Sequence, residues 1–419
     1  MLDIKFVRKY PDKARELLKK RKYDHRIDDL LQLDELRREK IVAVENLKQI
    51  RNQKNEEVAA AKKEGRDISE VISHMKETSK SIKDHDHEIS EIDDKIRGIL
   101  LEIPNLPQED IPIGDESQNK LLSVHGEKSK FDFTPKAHWD LGKDLGILET
   151  ERASRMSGSG FNVLVGAGAR FERALINFML DLQVEAGYTE ISPPHLVLRR
   201  TVEGSGQLPK MENDMYNTQP DDLFLIPTSE VALVNLYQNE VIPASEIPIS
   251  VTAATSCYRR EAGAAGKDTR GLLRVHEFKK VELVKFVEPN KSDEALETIL
   301  KNAEAVLQKL NLHYRVLLLA SEDMSFASSK TYDLEVWAPG VERWLEVSSC
   351  SNCKDFQARR ANIRYKNQGE KPQFLHLLNG SGLAVPRLMA AIWETYQKAD
   401  GRISVPEALQ SYLSGAKEI

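Results

Sequence analysis

The segment from Cys257 to Lys285 combines cationic, aromatic and acidic side chains at a spacing suited to binding a nucleotide. It is predicted to form two strands joined by a polar, glycine-rich loop. Because side chains alternate between the faces of a strand, Arg274, Phe278 and Glu282 are predicted to project from one side. At about 3.3 Å per residue this row spans roughly 26 Å, which could accommodate an extended nucleotide and a small cationic group beside it. A charged hairpin that only faces water is the alternative.

A second motif, Thr228-Ser229-Glu230, follows a predicted strand, 223–226, and a proline. Threonine and serine cap helices well, and acidic residues favour the first helical turn, so the triplet could serve only to begin a helix. The functional interpretation is that Thr228 and Glu230 contact the amino group of a small substrate. Both interpretations stay open on these residues alone.

The motif Glu346-Val347-Ser348-Ser349 ends a predicted strand, 337–349. Glu346 and Ser349 offer oxygen atoms, which are the ligands that Mg²⁺ prefers. A solvated strand end without a metal is the alternative.

The run from Asn379 to Arg387 places two glycines ahead of a predicted helix, 383–397. The positive end of a helix dipole and a guanidinium both suit a polyphosphate. A plain glycine turn before the helix is the alternative.

Composition restricts the class of protein. The 419 residues suggest two or three domains, and a charged fraction of 30% indicates long solvated helices. The net charge is −6, so any contact with nucleic acid must come from local basic patches. No apolar run reaches about 18 residues and the N-terminus lacks a secretory pattern, which predicts no membrane span. Three cysteines fit a reducing cytoplasm, and the pair Cys350 and Cys353 lacks the second pair that a structural zinc site needs.

Residues 27–101 contain no proline and are predicted to form a long antiparallel helical hairpin. The second half has apolar residues at a seven-residue spacing, which is typical of a coiled-coil seam. One set of positions is Ile68, Met75, Ile82, Ile89 and Ile96, and the set three residues later is Val71, Ile92 and Ile99, with Thr78 and His85 as polar breaks. Glu64-Gly65-Arg66-Asp67 lies at the midpoint and predicts a reversal of the chain. A helix of about 37 residues would give an arm roughly 55 Å long at 1.5 Å per residue. A dimerisation coil is the alternative.

Strands and helices alternate irregularly after a proline-rich linker at 102–118. A short helix is predicted over 11–22 near the N-terminus, and longer ones over 171–186 and 292–311. Gly166-Ala167-Gly168 resembles the start of a dinucleotide-binding fingerprint, but Phe171 stands where its third glycine belongs. We therefore exclude a Rossmann-type site.

The order of these motifs resembles the three signature motifs of class II aminoacyl-tRNA synthetases. With the hairpin arm, the chain is similar over nearly its whole length to the seryl-tRNA synthetases of the bacterial type. The most specific segments are 258–272, where Tyr258 replaces the family's phenylalanine, and 346–360. The resemblance implies an α+β fold, with an antiparallel sheet flanked by helices and an N-terminal coiled-coil hairpin arm. It also implies a tRNA-binding domain at 1–110, with its arm at about 27–101, and a catalytic domain at 111–419.

The resemblance further implies roles for individual residues. Arg259 would grip the α-phosphate of ATP and Arg387 the γ-phosphate, which makes these two the expected catalytic residues. Arg274 would also bind the γ-phosphate, and Phe278 would stack on the adenine. The residues expected to bind serine are Thr228, Ser229, Glu230, Glu282, Asn379 and Ser381. The remaining expected ATP contacts are Arg260, Glu261, Val275, Glu346, Val347, Ser348 and Ser349. Glu346 and Ser349 would also hold the metal ion.

By the same resemblance the chain would use ATP and Mg²⁺ to ligate L-serine to serine tRNA through a seryl-adenylate. It would also serylate selenocysteine tRNA where that tRNA exists. A cytoplasmic homodimer is implied, with Pro194 at its interface and the arm gripping the long variable arm of the tRNA. Three positions depart from the family pattern, namely Gly160, Glu277 and Pro386. Two alternatives stay open: a paralogue that activates an amino acid for a carrier protein, and a coiled-coil adaptor with an inactive catalytic fold.

Overall fold

The computed structural model describes residues 1–23, 25–65, 67–262 and 270–419. The chain divides into two compact units, Leu2–Ile103 and Pro104–Ile419, and the second unit also includes Met1. Within the described ranges, no helix combines the length and the apolar character needed to cross a membrane.

Within its described residues, the N-terminal unit contains four helices. They are α1 Ile4–Lys9, α2 Pro11–Lys19, α3 Ile27–Lys63 and α4 Ser69–Glu102. Helix α2 ends before the predicted residue 22 because Lys22 adopts a left-handed conformation with φ 52°. The 37 residues of α3 correspond to a length of about 55 Å, as the sequence predicts.

Helices α3 and α4 form the predicted antiparallel hairpin. The seven-residue repeat lies in their contact, and its buried members on α4 are Ile82, Ile92, Ile96 and Ile99. Ion pairs cross the hairpin between Arg26 and Glu102 at 2.7 Å and between Lys40 and Glu88 at 2.7 Å. Of the predicted reversal, Arg66 lies outside the described residues. The packed seam and the cross-pairing confirm the arm.

The larger unit mixes helices with strands. Its helices are α5 His138–Asp144, α6 Thr150–Ser157, α7 Ala167–Glu185, α8 Arg199–Ser205, α9 Glu230–Val234, α10 Ser292–Lys309, α11 Phe356–Ala361, α12 Val385–Thr395 and α13 Glu407–Gln410. Its strands are β1 Lys120–His125, β2 Leu148–Glu149, β3 Val163–Leu164, β4 Thr189–Glu190, β5 Leu196–Leu198, β6 Leu223–Leu225, β7 Val241–Pro243, β8 Ile249–Tyr258, β9 Glu277–Val287, β10 Tyr314–Leu318, β11 Lys330–Ala338, β12 Arg343–Asn352, β13 Arg364–Lys366, β14 Gln373–Phe374 and β15 His376–Ala384.

One large sheet organises this unit. Its strand order is β1-β10-β11-β12-β15-β9-β8-β4, and every neighbouring pair is antiparallel except β4 with β8. This sheet, flanked by helices, confirms the predicted α+β class.

Alternation along β9 separates the two faces of the sheet. Val281 and Leu283 enter the main core, where they join apolar residues of α7, α10 and α12, including the fully buried Trp393. Val284 and Phe286 point to the opposite face and pack with residues of α9 and α11. These short helices cover only part of that face, and the cavity described below occupies the neighbouring part.

Two sequence predictions about elements are wrong. The strand expected at 337–349 is two strands, β11 and β12, joined by a turn that contains Pro339 and Gly340. The turn packs closely on the chain before α5, since a Cβ at Gly340 would lie 2.9 Å from the Cα of Ala137. The helix expected from 383 begins instead at Val385, and Asn379 to Gly382 lie inside β15 rather than in a turn.

Candidate active site

A cavity of about 420 Å³ lies over the exposed part of the sheet, beside β9, β12 and β15. Most of the site residues expected from the sequence line it. They are Thr228, Glu230, Arg259, Glu261, Arg274, Val275, Phe278, Glu282, Glu346, Val347, Ser349, Asn379, Ser381 and Arg387. The lining is cationic and aromatic on one side and acidic on the other, so the cavity has two chemically distinct ends.

The aromatic side is built by the β8–β9 hairpin. Phe278 lies in β9, and the Arg259 guanidinium, one residue beyond β8, sits 5.2 Å from the centre of its ring. The Arg259 Nε donates to the carbonyl oxygen of Pro227 at 3.3 Å. A flat ring beside a fixed guanidinium could bind an aromatic base together with its phosphate. The glycine-rich loop between the strands, 263–269, lies outside the described residues.

The predicted row of three residues on one strand is only partly correct. Phe278 and Glu282 lie on one face of β9, but Arg274 precedes the strand, which begins at Glu277. Arg274 nevertheless lines the cavity, where it forms an ion pair with Glu261. The chain bends before the strand starts, and a four-residue spacing cannot reveal such a bend.

Arg387 adds a third guanidinium, from the first turn of α12. Its Nε donates to the carbonyl oxygen of Leu273 at 3.2 Å, and its Nη1 donates to the carbonyl oxygen of Glu346 at 2.9 Å. The Glu346 carboxylate is 3.4 Å from the same Nη1. Two neighbouring segments therefore hold Arg387 by their backbones, which leaves its charge on the cavity wall.

The acidic end centres on Glu282, which is 1% exposed. The Thr228 hydroxyl donates to its Oε2 at 2.9 Å, and the Lys280 ammonium forms an ion pair with the same carboxylate. Lys280 is also buried and lines the cavity. Sequence reasoning missed this lysine, although its position between Phe278 and Glu282 on the same strand face could have indicated it.

Glu230, in the first turn of α9, is the second carboxylate of this end. It accepts hydrogen bonds from the side-chain amides of Gln357 at 2.6 Å and of Asn379 at 3.0 Å. Burial, reinforced by the negative charge of Glu282, raises the pKa of Glu230 to about 7. When Glu230 is ionised, two carboxylates beside one lysine leave a net negative charge here, which suits an ammonium group.

Three expected site residues do not line the cavity. The Ser229 hydroxyl is buried and lies 2.6 Å from the hydroxyl of Thr255. The Ser348 hydroxyl donates to the carbonyl oxygen of Ser381 at 2.6 Å and so ties β12 to β15. Arg260 is exposed and donates to the carbonyl oxygen of Asn213 at 3.1 Å.

The oxygen donors expected to hold a metal fit a hard cation. Glu346 and Ser349 both line the cavity, and Asp333 pairs opposite Ser349 across the β11–β12 ladder. One carboxylate oxygen of Asp333 is buried without a hydrogen-bond partner. Burial, followed by the charge of Glu346, raises the pKa of Asp333. Among the described residues no three His, Cys, Asp or Glu side chains form a complete metal cluster, so a cation here would need oxygen atoms from a ligand.

The glycine at position 160, where the sequence departs from the family pattern, is explained by its surroundings. Gly160 has φ +80°, and an added Cβ would overlap the ring of His276. The His276 backbone N–H donates to the Gly160 carbonyl oxygen at 2.8 Å, and the ring of Phe161 stacks on His276 at 5.2 Å. A larger residue at position 160 would therefore displace this ring pair.

Two family models match the chain. The seryl-tRNA synthetase N-terminal domain matches residues 1–107, and the tRNA synthetase class II core domain (G, H, P, S and T) matches residues 211–396. The second match contains the β8–β9 hairpin, the Glu346 motif and Arg387.

Full-length relatives show the same similarity. The serine–tRNA ligase of Caldanaerobacter subterraneus subsp. tengcongensis is 52% identical over 416 residues, which cover 99% of this chain and 98% of that protein. The seryl-tRNA synthetase of Pyrococcus horikoshii, solved in complex with ATP, superimposes with a TM-score of 0.93 at 35% identity and covers 100% of this chain and 99% of that one. The cytoplasmic serine–tRNA ligase of Naegleria fowleri, solved with AMP, gives a TM-score of 0.88 at 30% identity, with 100% and 98% coverage.

Proposed function

The chain belongs to the seryl-tRNA synthetase family, and we propose that it joins L-serine to serine tRNA through a seryl-adenylate. The observation that carries the proposal is the division of the cavity. Phe278 and the guanidiniums of Arg259, Arg274 and Arg387 form one end, and the buried carboxylate of Glu282 lies at the other. ATP would occupy the first end and serine the second. The relatives solved with ATP and AMP support a nucleotide in this cavity.

Serine would be recognised by charge and hydrogen bonding. Its ammonium group would lie by the carboxylates of Glu230 and Glu282, and its hydroxyl would reach Glu282, which Lys280 and Thr228 hold in place. A site built to bond a hydroxyl rejects alanine strongly, because a buried polar group is then left unpaired. We therefore expect the preference for serine to depend on Glu282.

The first chemical step is the attack of a serine carboxylate oxygen on the α-phosphorus of ATP. The new phosphorus–oxygen bond forms as the bond to the β-phosphate oxygen breaks, which releases pyrophosphate. The serine carboxylate is already ionised at pH 7, so no general base is required. Arg259 would stabilise the charge that develops on the α-phosphate, and the remaining contribution is positioning.

Glu346 and Ser349 would hold Mg²⁺, whose charge offsets that of the phosphates when it is bound. Arg387 binds the Glu346 backbone and carboxylate, so the protein fixes this donor without the metal. Arg274 would exchange its ion pair with Glu261 for a phosphate contact.

In the second step a terminal ribose hydroxyl of the tRNA attacks the activated carbonyl carbon. The bond from that carbon to the phosphate oxygen breaks, AMP leaves, and the hydroxyl proton is lost. The α3–α4 hairpin would bind the long variable arm of serine tRNA, and the same contacts would let the enzyme serylate selenocysteine tRNA where present. We expect the enzyme to act as a homodimer in the cytoplasm, with tRNA-binding and catalytic domains at 1–110 and 111–419.

The direct test is amino-acid-dependent exchange of pyrophosphate into ATP, screened over the standard amino acids and followed by tRNA charging. We expect exchange with serine and charging of serine tRNA. The Arg259→Ala variant should slow exchange about 100-fold or more, as the loss of a group that stabilises transition-state charge does. Arg402→Ala, which removes an exposed arginine paired with Asp400, is the matched control and should retain activity. Exchange with another amino acid, or serine transfer to a carrier protein instead of tRNA, would contradict the proposal.

A further inference from the structure

A buried histidine–glutamate pair lies outside the cavity lining and has no part in the two steps above. His138 begins α5, and Glu394 lies near the end of α12. Both side chains are 0% exposed, and the Nδ1 of His138 is 2.7 Å from Oε1 of Glu394. Buried polar groups of this kind are costly unless their hydrogen bonds are made.

Both carboxylate oxygens of Glu394 accept hydrogen bonds from backbone groups. Oε1 accepts from the N–H of His138 at 3.0 Å, and Oε2 accepts from the N–H groups of Gly340 at 2.9 Å and of Val341 at 3.2 Å. The carboxylate thereby joins α5, α12 and the β11–β12 turn. These three elements fix the orientation of the carboxylate. The position of Oε1, which contacts the His138 ring, is therefore fixed as well.

The second nitrogen of His138 reaches the segment that follows the β8–β9 loop. The backbone N–H of Leu272 donates to Nε2 at 3.0 Å. Nε2 therefore carries no proton, and the ring proton is on Nδ1, where it is donated to Glu394. His138 thus links the carboxylate on α12 to the backbone of Leu272.

Gly271 allows this close approach. It has φ +61°, and an added Cβ would overlap the His138 ring and lie 3.1 Å from the Cβ of Trp139. The Gly271 carbonyl oxygen also accepts from the side-chain amide of Asn162 at 2.9 Å. The segment is therefore held by its backbone on both sides, at a position that only glycine permits.

Each of the two segments that the pair joins carries an arginine of the cavity. Leu273 follows the anchored residue and accepts the hydrogen bond from Arg387, and Arg274 comes next and lines the cavity. Arg387 lies on α12, the helix that also carries Glu394. The pair therefore connects the two chain segments that present guanidiniums to a polyphosphate.

We propose that His138 is a positioning residue for ATP. With Glu394 it would fix the backbone of Leu272 against α12, so that Arg274 and Arg387 keep one spacing toward the β- and γ-phosphates. The proposal rests on the proposed function, because it assigns these arginines to ATP. Serine binding should not depend on the pair, since no residue of the acidic end contacts it among the hydrogen bonds of the described residues.

Two substitutions separate the two bonds of the histidine. In His138→Asn, the side-chain amide replaces Nδ1 and can still donate to Glu394, but nothing reaches Leu272. In His138→Gln, the side-chain carbonyl replaces Nε2 and can still accept from Leu272, while the ring's bond to Glu394 is lost. The backbone N–H of residue 138 still donates to Glu394 in both variants, so only the glutamine variant keeps α12 linked to Leu272. Each variant loses one hydrogen bond of a buried group, so a purely structural role predicts similar losses of thermal stability and similar kinetics for both.

We expect the two variants to differ. His138→Asn should raise the KM for ATP in pyrophosphate exchange, and the Kd for ATP in calorimetry, about fivefold to tenfold, as the loss of one positioned hydrogen bond does. The KM for serine should change less than about twofold, and His138→Gln should stay near the unsubstituted protein. Hydrogen–deuterium exchange at the Leu272 amide, measured without ATP, should accelerate in the asparagine variant alone.

Equal KM and Kd values for ATP in all three proteins would overturn the positioning role, as would an equal rise in the KM values for ATP and serine. Calorimetry and amide exchange do not require catalysis. If the unsubstituted protein showed no serine-dependent exchange, the proposed function would fail, while these two measurements would still decide the role of His138.

A glycine pair covers the case in which a His138 variant does not fold. Gly271→Ala would push the segment away from His138 and should reproduce the weaker ATP binding. Gly146→Ala is the matched control, because Gly146 has a similar φ of +67° but an added Cβ would meet no atom within 4 Å. Backbone strain is thus common to both variants, and the difference is the close contact with His138 and the neighbouring Trp139. Equal ATP affinity in the two variants would count against the proposal.

Discussion

The enclosed carboxylate of Glu230 has a second negative charge beside it. Gln357 and Asn379 donate hydrogen bonds to it, yet burial and Glu282 together raise its pKa from the usual 4.5 to about 7. The folded protein therefore retains a proton on Glu230 in a pH range where the unfolded chain has released it. The stabilisation from this proton is complete below about pH 4.5 and is lost as the pH rises through about 7.

The pH dependence of stability tests this residue. Relative to a Glu230→Gln variant, the unsubstituted protein should lose up to about 3 kcal/mol of unfolding free energy between about pH 4.5 and pH 7, since each pKa unit corresponds to about 1.4 kcal/mol. Urea unfolding followed by tryptophan fluorescence measures the larger unit alone, because all four tryptophans lie in it. They are Trp139, Trp337, Trp344 and Trp393. Glu127→Gln, at an exposed site, should keep the slope of the unsubstituted protein. If the unfolding free energy of Glu230→Gln changed with pH as steeply as that of the unsubstituted protein, the raised pKa of Glu230 would be refuted.

Strand β15 depends on glycine for its contact with helix α10. A Cβ at Gly380 would lie 2.5 Å from Cγ2 of Ile299 and 3.1 Å from Sγ of Cys350. Asn379 and Ser381, on either side of Gly380, line the cavity, so the close packing of the strand also sets the position of the serine-binding groups. Gly380 therefore allows β15 and α10 to pack closely, and it does not form a turn.

The Gly380→Ala variant should therefore lose about 1–3 kcal/mol of unfolding free energy, which is the usual cost of overfilling a packed core. Ile299→Ala removes the side chain that the new methyl group meets and should itself cost about 2–5 kcal/mol. In the double variant the methyl group would occupy part of the vacated space, so the total loss should be smaller than the sum of the two by about 0.5–3 kcal/mol. Strictly additive losses in urea unfolding would show that the two residues do not interact as described.

The contact of Gly380 with Ile299 also shows which features the sequence can predict and which it cannot. The hairpin arm, α7, α10 and the β8–β9 pair have clear periodicities, because each buries one continuous stripe or face. Most of the cavity residues were predictable, since they belong to motifs of fixed spacing. Asn379 to Gly382 resembled a turn because glycines are ordinarily local signals, whereas the reason for Gly380 is a helix distant in sequence. Lys280 was missed although it shares a strand face with Phe278 and Glu282, because its role depends on the burial of the Glu282 carboxylate with which it pairs.

The cavity and the hairpin arm belong to different units of the chain. The cavity residues all belong to the unit Pro104–Ile419, and α3 and α4 belong to the unit Leu2–Ile103. The base of the hairpin is closed by the ion pair of Arg26 with Glu102 at 2.7 Å, so the two ends of the arm lie close together. A short Gly-Ser linker can therefore replace residues 27–100 without stretching the chain on either side.

Such an arm-deleted protein should distinguish the two proposed steps. Serine-dependent pyrophosphate exchange should stay within about twofold of the full-length rate, because a loss of less than about 0.5 kcal/mol is expected when no cavity residue is removed. The kcat/KM for charging serine tRNA should fall about 100-fold or more, since a charge-assisted interface with the tRNA would be lost. Both activities are measured on one preparation, so an error in the active fraction cancels in their ratio. A parallel fall in exchange and charging would mean that the arm supports the catalytic unit, and unchanged charging would mean that it does not bind tRNA.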